Sequence, residues 1–324
     1  METVVRLQLK FKARANQVFQ ALVESQALTR WFCEFADVSL DTKAYDFWGR
    51  FTPEAPPDQA AGHHPLTHFA KNRHLAYRWP LNNMDTHLLI KLLARDEETI
   101  LTLRHTAASS GEQMWRIQLR DFWILSLENL RAHLTGKPAV ARIDFSQPWQ
   151  GDIRHELLID APPSTVFETI IRPDQINRWI GSNAEVDAQV GGRYSFGWMG
   201  MKILEIVPDK KLSVSPTYDN NGVEEITPHA FTWTLEESGG KTRMTFVHSG
   251  FAPDESNEAA NLGWLSYMTR IKSIAEFGAA WQHPLLPIEP EFAGMYPIDI
   301  VQRQDELLDD LLAPDDPLIA APRD

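Results

Sequence analysis

The stretch APPSTVFETIIRPDQINRWIG, residues 161–181, decides the fold because the chain contains it twice: ANQVFQALVESQALTRWF, residues 15–32, carries the same pattern. Val18, Phe19, Arg30 and Trp31 recur 148 positions later as Val166, Phe167, Arg178 and Trp179, and Ala36, Val38 and Gly49 recur as Ala184, Val186 and Gly197. The match continues with changed offsets. Leu75 meets Leu212; Thr99, Thr102 and His105 meet Thr242, Thr245 and His248; Trp123, Leu127, Leu130 and Leu134 meet Trp264, Met268, Ile271 and Ala275. Self-similarity of this kind marks a repeated unit, with offsets that change where loops change length.

Working outward, the first copy occupies residues 1–137 and the second 151–281. The proline-bearing stretch 138–150 between them reads as a linker. PEAPPDQAAGHHP, residues 53–65, accounts for the longer first copy and reads as an exposed loop. Residues 282–324 form a tail with seven of the 21 prolines, ten acidic and two basic side chains. The chain of 324 residues carries a net charge of −13, which disfavours a nucleic-acid partner, since that calls for a cationic surface. A 43% hydrophobic content excludes disordered and collagen-like classes, and no apolar run is long enough for a membrane span. The single Cys33 and a start without signal-peptide character point to a cytoplasmic protein.

Each copy gives one order of elements. In the second, residues 153–160 alternate as a strand, Pro163 and Pro173 open two short helices, and six further short β-rich segments follow up to His248. A long helix is expected from the cap residue Asn257 to Gly278, with Trp264, Met268 and Ile271 on one face. That face needs an apolar partner, and the sheet offers one. The fold class is therefore α+β: two tandem domains, each a curved antiparallel sheet of about seven strands with two short helices and a long C-terminal helix.

The quoted segments, with VGGRYSFGW (190–198), KLSVSP (211–216), FTWTLEE (231–237), HLAYRWP (74–80) and DFWILSLENLRAHLTG (121–136), resemble the SRPBCC (START-like, helix-grip) superfamily. More narrowly, each half resembles the domain of the activators of heat-shock protein 90 ATPase. The resemblance implies an apolar cavity between sheet and long helix. It also implies three kinds of function: binding of a hydrophobic or aromatic small molecule, polyketide cyclase or hydrolase chemistry through an inward His, or a stress-linked interaction with a chaperone. The first is the leading expectation, with no cofactor and no metal, and an enzyme is the lesser one.

Strand parity names the side chains that would line such a cavity. In the second domain they are Tyr194, Phe196 and Trp198 on one strand, Phe231 and Trp233 on another, and Phe246 and His248 on a third. Trp179, Trp264 and Met268 join them from the helices. His248 is the expected polar anchor. The first domain contributes Trp31, Trp48, His105 and Trp123. There the register is open to two readings. Tyr45, Phe47 and Phe51 inward is favoured over Asp46, Trp48 and Arg50, because a slip of one residue exchanges the faces.

Other signals are weaker. Residues 239–242 mimic the end of a phosphate-binding loop but join two strands, and His155-Glu156 lacks the second histidine of a zinc-protease motif. His63, His64 and His68 would bind a metal only if their loop folded back. In the tail, IDIVQRQDELLDDLL (298–312) has the pattern of an acidic amphipathic helix. It is unsuited to anionic membranes and suited to an apolar groove of this chain or of a protein partner such as a chaperone.

Overall fold

The computed structural model describes residues 2–108, 113–220 and 223–284. The expected tail helix at 298–312 lies outside them. The chain divides into two compact units, with the boundary in sequence between Gln147 and Pro148.

In the first unit, β1 (Glu2–Phe11) leads into α1 (Ala15–Val23) and α2 (Ser25–Trp31). A hairpin of β2 (Phe35–Ser39) and β3 (Ala44–Trp48) follows, then β4 (Leu66–Ala70), β5 (His74–Arg78), β6 (Thr86–Arg95), β7 (Glu98–Ala107) and α3 (Gln113–Leu134). Five strands make one antiparallel sheet in the order β1-β7-β6-β5-β4, and β2-β3 stand apart as a pair. The inserted loop explains the split. Its backbone takes over the edge of β3: the N–H of Phe47 donates to the carbonyl of Gly62 at 3.0 Å, and that of Gly49 to Pro56 at 2.9 Å.

The second unit repeats the order: β8 (Ile153–Ile159), α4 (Pro163–Ile171), α5 (Pro173–Ile180), β9 (Glu185–Val186), β10 (Arg193–Ser195), β11 (Gly200–Val207), β12 (Lys211–Asn220), β13 (Val223–Ile226), β14 (Ala230–Ser238), β15 (Lys241–Ser249) and α6 (Glu258–Phe277). Without the insert its sheet is continuous, β8-β15-β14-β12-β11-β10-β9, with β13 on β12. The expected strands at 184–189 and 192–199 shrink to two and three residues. Gly191 (φ +79°) lies in the turn between them, and Gly197 (φ +87°) falls within the second expected strand, beyond the end of β10. The extra strand β13 was not foreseen.

α6 begins after Asn257 and stops at Gly278 as expected, but the Asn257 side chain does not cap the helix. Its amide donates to the Gly151 carbonyl at 2.7 Å. The expected linker is also corrected in part, because residues 138–147 pack on the first unit. Asn129 Oδ1 accepts the Val140 N–H at 2.8 Å, and Arg142 donates to the carbonyls of Thr29 and Cys33, both at 3.0 Å. Each of these satisfies a polar group that would otherwise end a helix or cross a buried surface unpaired. Among the described residues no helix is long and apolar enough to cross a membrane.

Candidate functional site

The duplicated fold repeats its hydrogen bonds as well as its elements. Trp31 Nε1 donates to the Ala21 carbonyl and Trp179 Nε1 to Thr169, each at 2.9 Å. Tyr45 and Tyr194 donate their hydroxyls to Leu22 and Ile170 at 2.7 and 2.8 Å. Thr99 and Thr242 donate to Ala13 and Ala161, both at 2.7 Å. Trp31 and Trp179 therefore tie the two short helices of each domain to one another, and Tyr45 and Tyr194 tie the first of those helices to a strand. Their polar atoms are already used.

The pairing of Tyr45 with Tyr194 fixes the register of β3. Tyr45 and Phe47 are 2% and 0% exposed and face the interior, as the apolar alternation requires. Trp48 points the other way and stacks on Phe35 at 5.7 Å, so it is removed from the predicted lining. Asp46 is buried as well, on the opposite face, beneath the inserted loop. It pairs with His63 Nδ1 at 2.6 Å and accepts from Gln59 at 2.8 Å, not from Arg50. Arg50 turns to Glu34 at 3.2 Å. The three loop histidines disperse: His64 stacks on Phe47 at 3.8 Å, His63 joins Asp46, and His68 is exposed on β4.

The second domain gathers most of the other predicted residues around Trp264 of α6. Its ring centroid lies 4.3 Å from Phe246, 4.7 Å from Phe231, 5.7 Å from Trp233 and 6.4 Å from Phe196. Met268 is fully buried in the same layer. These are contact distances for aromatic rings, each worth about 0.5–1.5 kcal/mol beyond burial. Trp198 does not join them. It is 49% exposed and leans on Phe196 at the edge of the cluster, at 5.8 Å, because Gly197 (φ +87°) turns the chain outward there.

The histidines have a different part from the one parity assigned them. Trp264 Nε1 donates to His248 Nδ1 at 3.2 Å, and Trp123 Nε1 donates to His105 Nδ1 at 3.0 Å. Nδ1 is thus unprotonated in both rings, and Nε2 carries the hydrogen. That hydrogen goes to Thr86 Oγ1 at 2.7 Å in the first domain and to His229 Nδ1 at 3.1 Å in the second. Burial is the main reason that both pKa values are pushed down to about 3, with His87 and His229 adding to it. Each imidazole is a neutral bridge between strand and helix, so His248 offers no free nitrogen to a ligand or a proton.

Several buried side-chain polar atoms have no hydrogen-bond partner among the described residues, His64 Nδ1 in the first domain and Trp233 Nε1 in the second among them. Trp233 is fully buried, and its Nε1 has no hydrogen-bond partner among the described residues. Sequence reasoning placed Trp233 on the lining, but only the packing shows that its N–H is left over. Other interior residues escaped sequence reasoning. Trp79 is 1% exposed and stacks on His105 at 5.8 Å; the alternation of Leu75, Tyr77 and Trp79 was the available signal. His229 had no such signal, since it precedes β14. A separate open groove of about 720 Å3, lined by Pro163, Ser164, Val207, Lys210 and Leu235 among others, contains none of the predicted lining residues.

Solved structures that resemble the chain include an Aha1 dimer from Colwellia psychrerythraea, 20% identical over 40% of this chain and 98% of that one, with a TM-score of 0.36. An Hsp90 activator from Plasmodium falciparum is 20% identical over 38% of this chain and 95% of its own, with a TM-score of 0.33. DynU16, a protein of the dynemicin biosynthetic locus, is 15% identical over 84% of this chain and 97% of its own, with a TM-score of 0.32. No curated protein is detectably similar in sequence. The family described as Activator of Hsp90 ATPase homolog 1-like protein matches residues 12–135 and again 160–276, so the chain belongs to that family and carries its domain twice.

Proposed function

We propose that the second domain binds a planar apolar or aromatic small molecule between its sheet and α6, with the Trp233 N–H donating to an acceptor on the ligand. The carrying observation is that buried, unpartnered indole nitrogen amid Phe231, Phe246 and Trp264. A buried donor left unmade costs about 1–3 kcal/mol, and native proteins explain such groups with a ligand or an ordered water. Small-molecule sites have this composition: mostly apolar walls with a few orienting polar atoms. Trp198, half exposed beside Phe196, marks the mouth. Uptake requires it and α6 to give way, because the rings are in contact. His248 is a fixed support of the wall in this reading, and acid–base chemistry through it forms no part of the proposal.

The test is native mass spectrometry of the purified full chain, followed by thermal shift with planar aromatic ketones and with fatty acids. An aromatic compound that co-purifies or raises the midpoint supports the reading. Trp233→Phe keeps the ring area and removes the N–H, so it should weaken binding by about tenfold while remaining folded. A chain that carries nothing and responds to neither class has a filled core, and a protein partner then becomes the better account.

A further inference from the structure

We propose that His63 of the inserted loop, positioned by Asp46 of β3, is a catalytic nucleophile on the first domain that hydrolyses neutral esters of aromatic alcohols. This does not rest on the ligand-binding reading of the second domain.

The pair is built on the outward face of the β2–β3 hairpin. Cross-strand pairing sets Phe35 opposite Trp48 and Asp37 opposite Asp46 on that face. Two carboxylates directly across from one another repel, and the inserted loop meets them. Gln59 Nε2 donates to Asp46 at 2.8 Å and to Asp37 at 3.2 Å, while His63 Nδ1 donates to the other Asp46 oxygen at 2.6 Å. Gly62 lets the loop come this close: an added Cβ there would lie 2.3 Å from the Phe47 carbonyl oxygen and 2.7 Å from the Trp48 Cβ.

The two partners differ in exposure. The Asp46 side chain is 7% exposed, whereas that of His63 is 52% exposed. With Nδ1–H given to the carboxylate, the neutral ring carries its lone pair on Nε2. That nitrogen has no hydrogen-bond partner among the described residues. A buried carboxylate so placed fixes the tautomer of the imidazole and stabilises its cation. Beside it, Phe35 stacks on Trp48 at 5.7 Å and is 48% exposed, one row of the hairpin, about 7 Å, from the carboxylates. An aromatic ring laid on Phe35 brings an attached ester within reach of Nε2.

The second domain shows that the fold does not need this pair. By the match of Tyr45 with Tyr194, Ser195 stands at the position of Asp46, and its Oγ accepts the Gly197 N–H at 3.0 Å. The Asp46 carboxylate, costly to desolvate, thus goes with the loop that supplies its histidine.

In the reaction His63 Nε2 adds to the ester carbonyl carbon, the bond from that carbon to the aromatic oxygen breaks, and the phenolate leaves with the electron pair. Asp46 stabilises the acyl-imidazolium through Nδ1–H. Water then adds to the acyl carbon and the C–N bond breaks, which returns the neutral imidazole and gives the carboxylic acid. The proton released goes to the phenolate, so ester and water become acid and phenol. The neighbouring Asp37 disfavours an anionic ester.

The test follows hydrolysis of p-nitrophenyl acetate by the full chain, with acid-quenched samples mapped for an acetyl group. Turnover with the acetyl on His63 is expected. His63→Asn should lower kcat/KM by about tenfold or more and stay folded, since that ring is half exposed. Asp46→Asn should lower kcat by about tenfold and leave KM unchanged, because it withdraws support from the acyl-imidazolium and not from the aromatic platform. His68→Asn removes the exposed histidine of β4 and should leave the rate as it was. Equal rates in the parent and His63→Asn, an acetyl group on another residue, or a matching fall in His68→Asn would each overturn the proposal. An Asp46→Asn loss confined to KM would overturn the role of Asp46.

Discussion

Trp123 on α3 donates its indole N–H to Nδ1 of His105 on β7 at 3.0 Å, and this one bond ties the long helix of the first domain to the middle of its sheet. The corresponding pair in the second domain, Trp264 and His248, does the same at 3.2 Å. Removing the donor leaves a buried acceptor unsatisfied. Trp123→Phe should therefore destabilise the first domain by about 1–3 kcal/mol beyond the small loss of ring area. Urea unfolding measures this, and a variant as stable as the parent would show that the bond contributes nothing.

The same pairs make stability depend on pH. His105 is neutral in the fold with its pKa near 3, whereas an unfolded histidine titrates near about 6.5. Between these values the unfolded chain holds a proton that the folded chain does not. Stability is full above about pH 6.5 and falls as the pH drops toward 3, by about 1.4 kcal/mol per unit for this residue. His248 and the buried His64, pushed down to about 4 by burial first, act in the same direction. Unfolding midpoints at pH 7 and pH 5 should show the loss, and His105→Asn should flatten the slope while lowering stability at pH 7.

Asp46 keeps the inserted loop in place. The carboxylate is 5% exposed and is held by His63 and Gln59 from that loop. Asp46→Ala should release residues 53–65 to a protease at a rate several-fold above that of the parent, with cleavage sites mapped by mass spectrometry. Unchanged cleavage would mean that the backbone bonds from Phe47 and Gly49 suffice to hold the loop.

Cys33 should be inert. Its side chain is fully buried, and burial raises the thiol to about pKa 12, so the reactive thiolate is absent near neutrality. A thiol-reactive dye should label the native chain only as fast as it unfolds, and label it at once in denaturant. Rapid native labelling would contradict the packing around α2.

Gly49 and Gly197, matched in the repeat, share a physical cause. Their φ angles are +97° and +87°, and an added Cβ would lie 2.6 Å from the Glu34 Cβ and 2.7 Å from the Asn183 carbonyl oxygen. Gly197→Ala should cost about 1–3 kcal/mol, through strain and overlap together. Thermal unfolding would reveal a tolerated alanine if the turn can move.

The sequence by itself determined the duplication, the α+β order of elements and the inward parity of most of the aromatics. These are local or periodic properties: Pro163 and Pro173 start helices, Gly278 stops one, and alternation assigns faces. It also favoured the inward Tyr45 and Phe47, since apolar surface outweighs an ungapped alignment. Only the tertiary structure decided what the polar atoms do. The partners of His248, Trp264 and His229, come from different elements, and no spacing in the chain encodes their meeting. Trp198 and Trp48 share the composition of the interior yet lie outside it, because a glycine turn and a one-residue slip redirect them. The unpaired nitrogen of Trp233 is likewise a consequence of packing, visible only once every neighbouring acceptor has been placed.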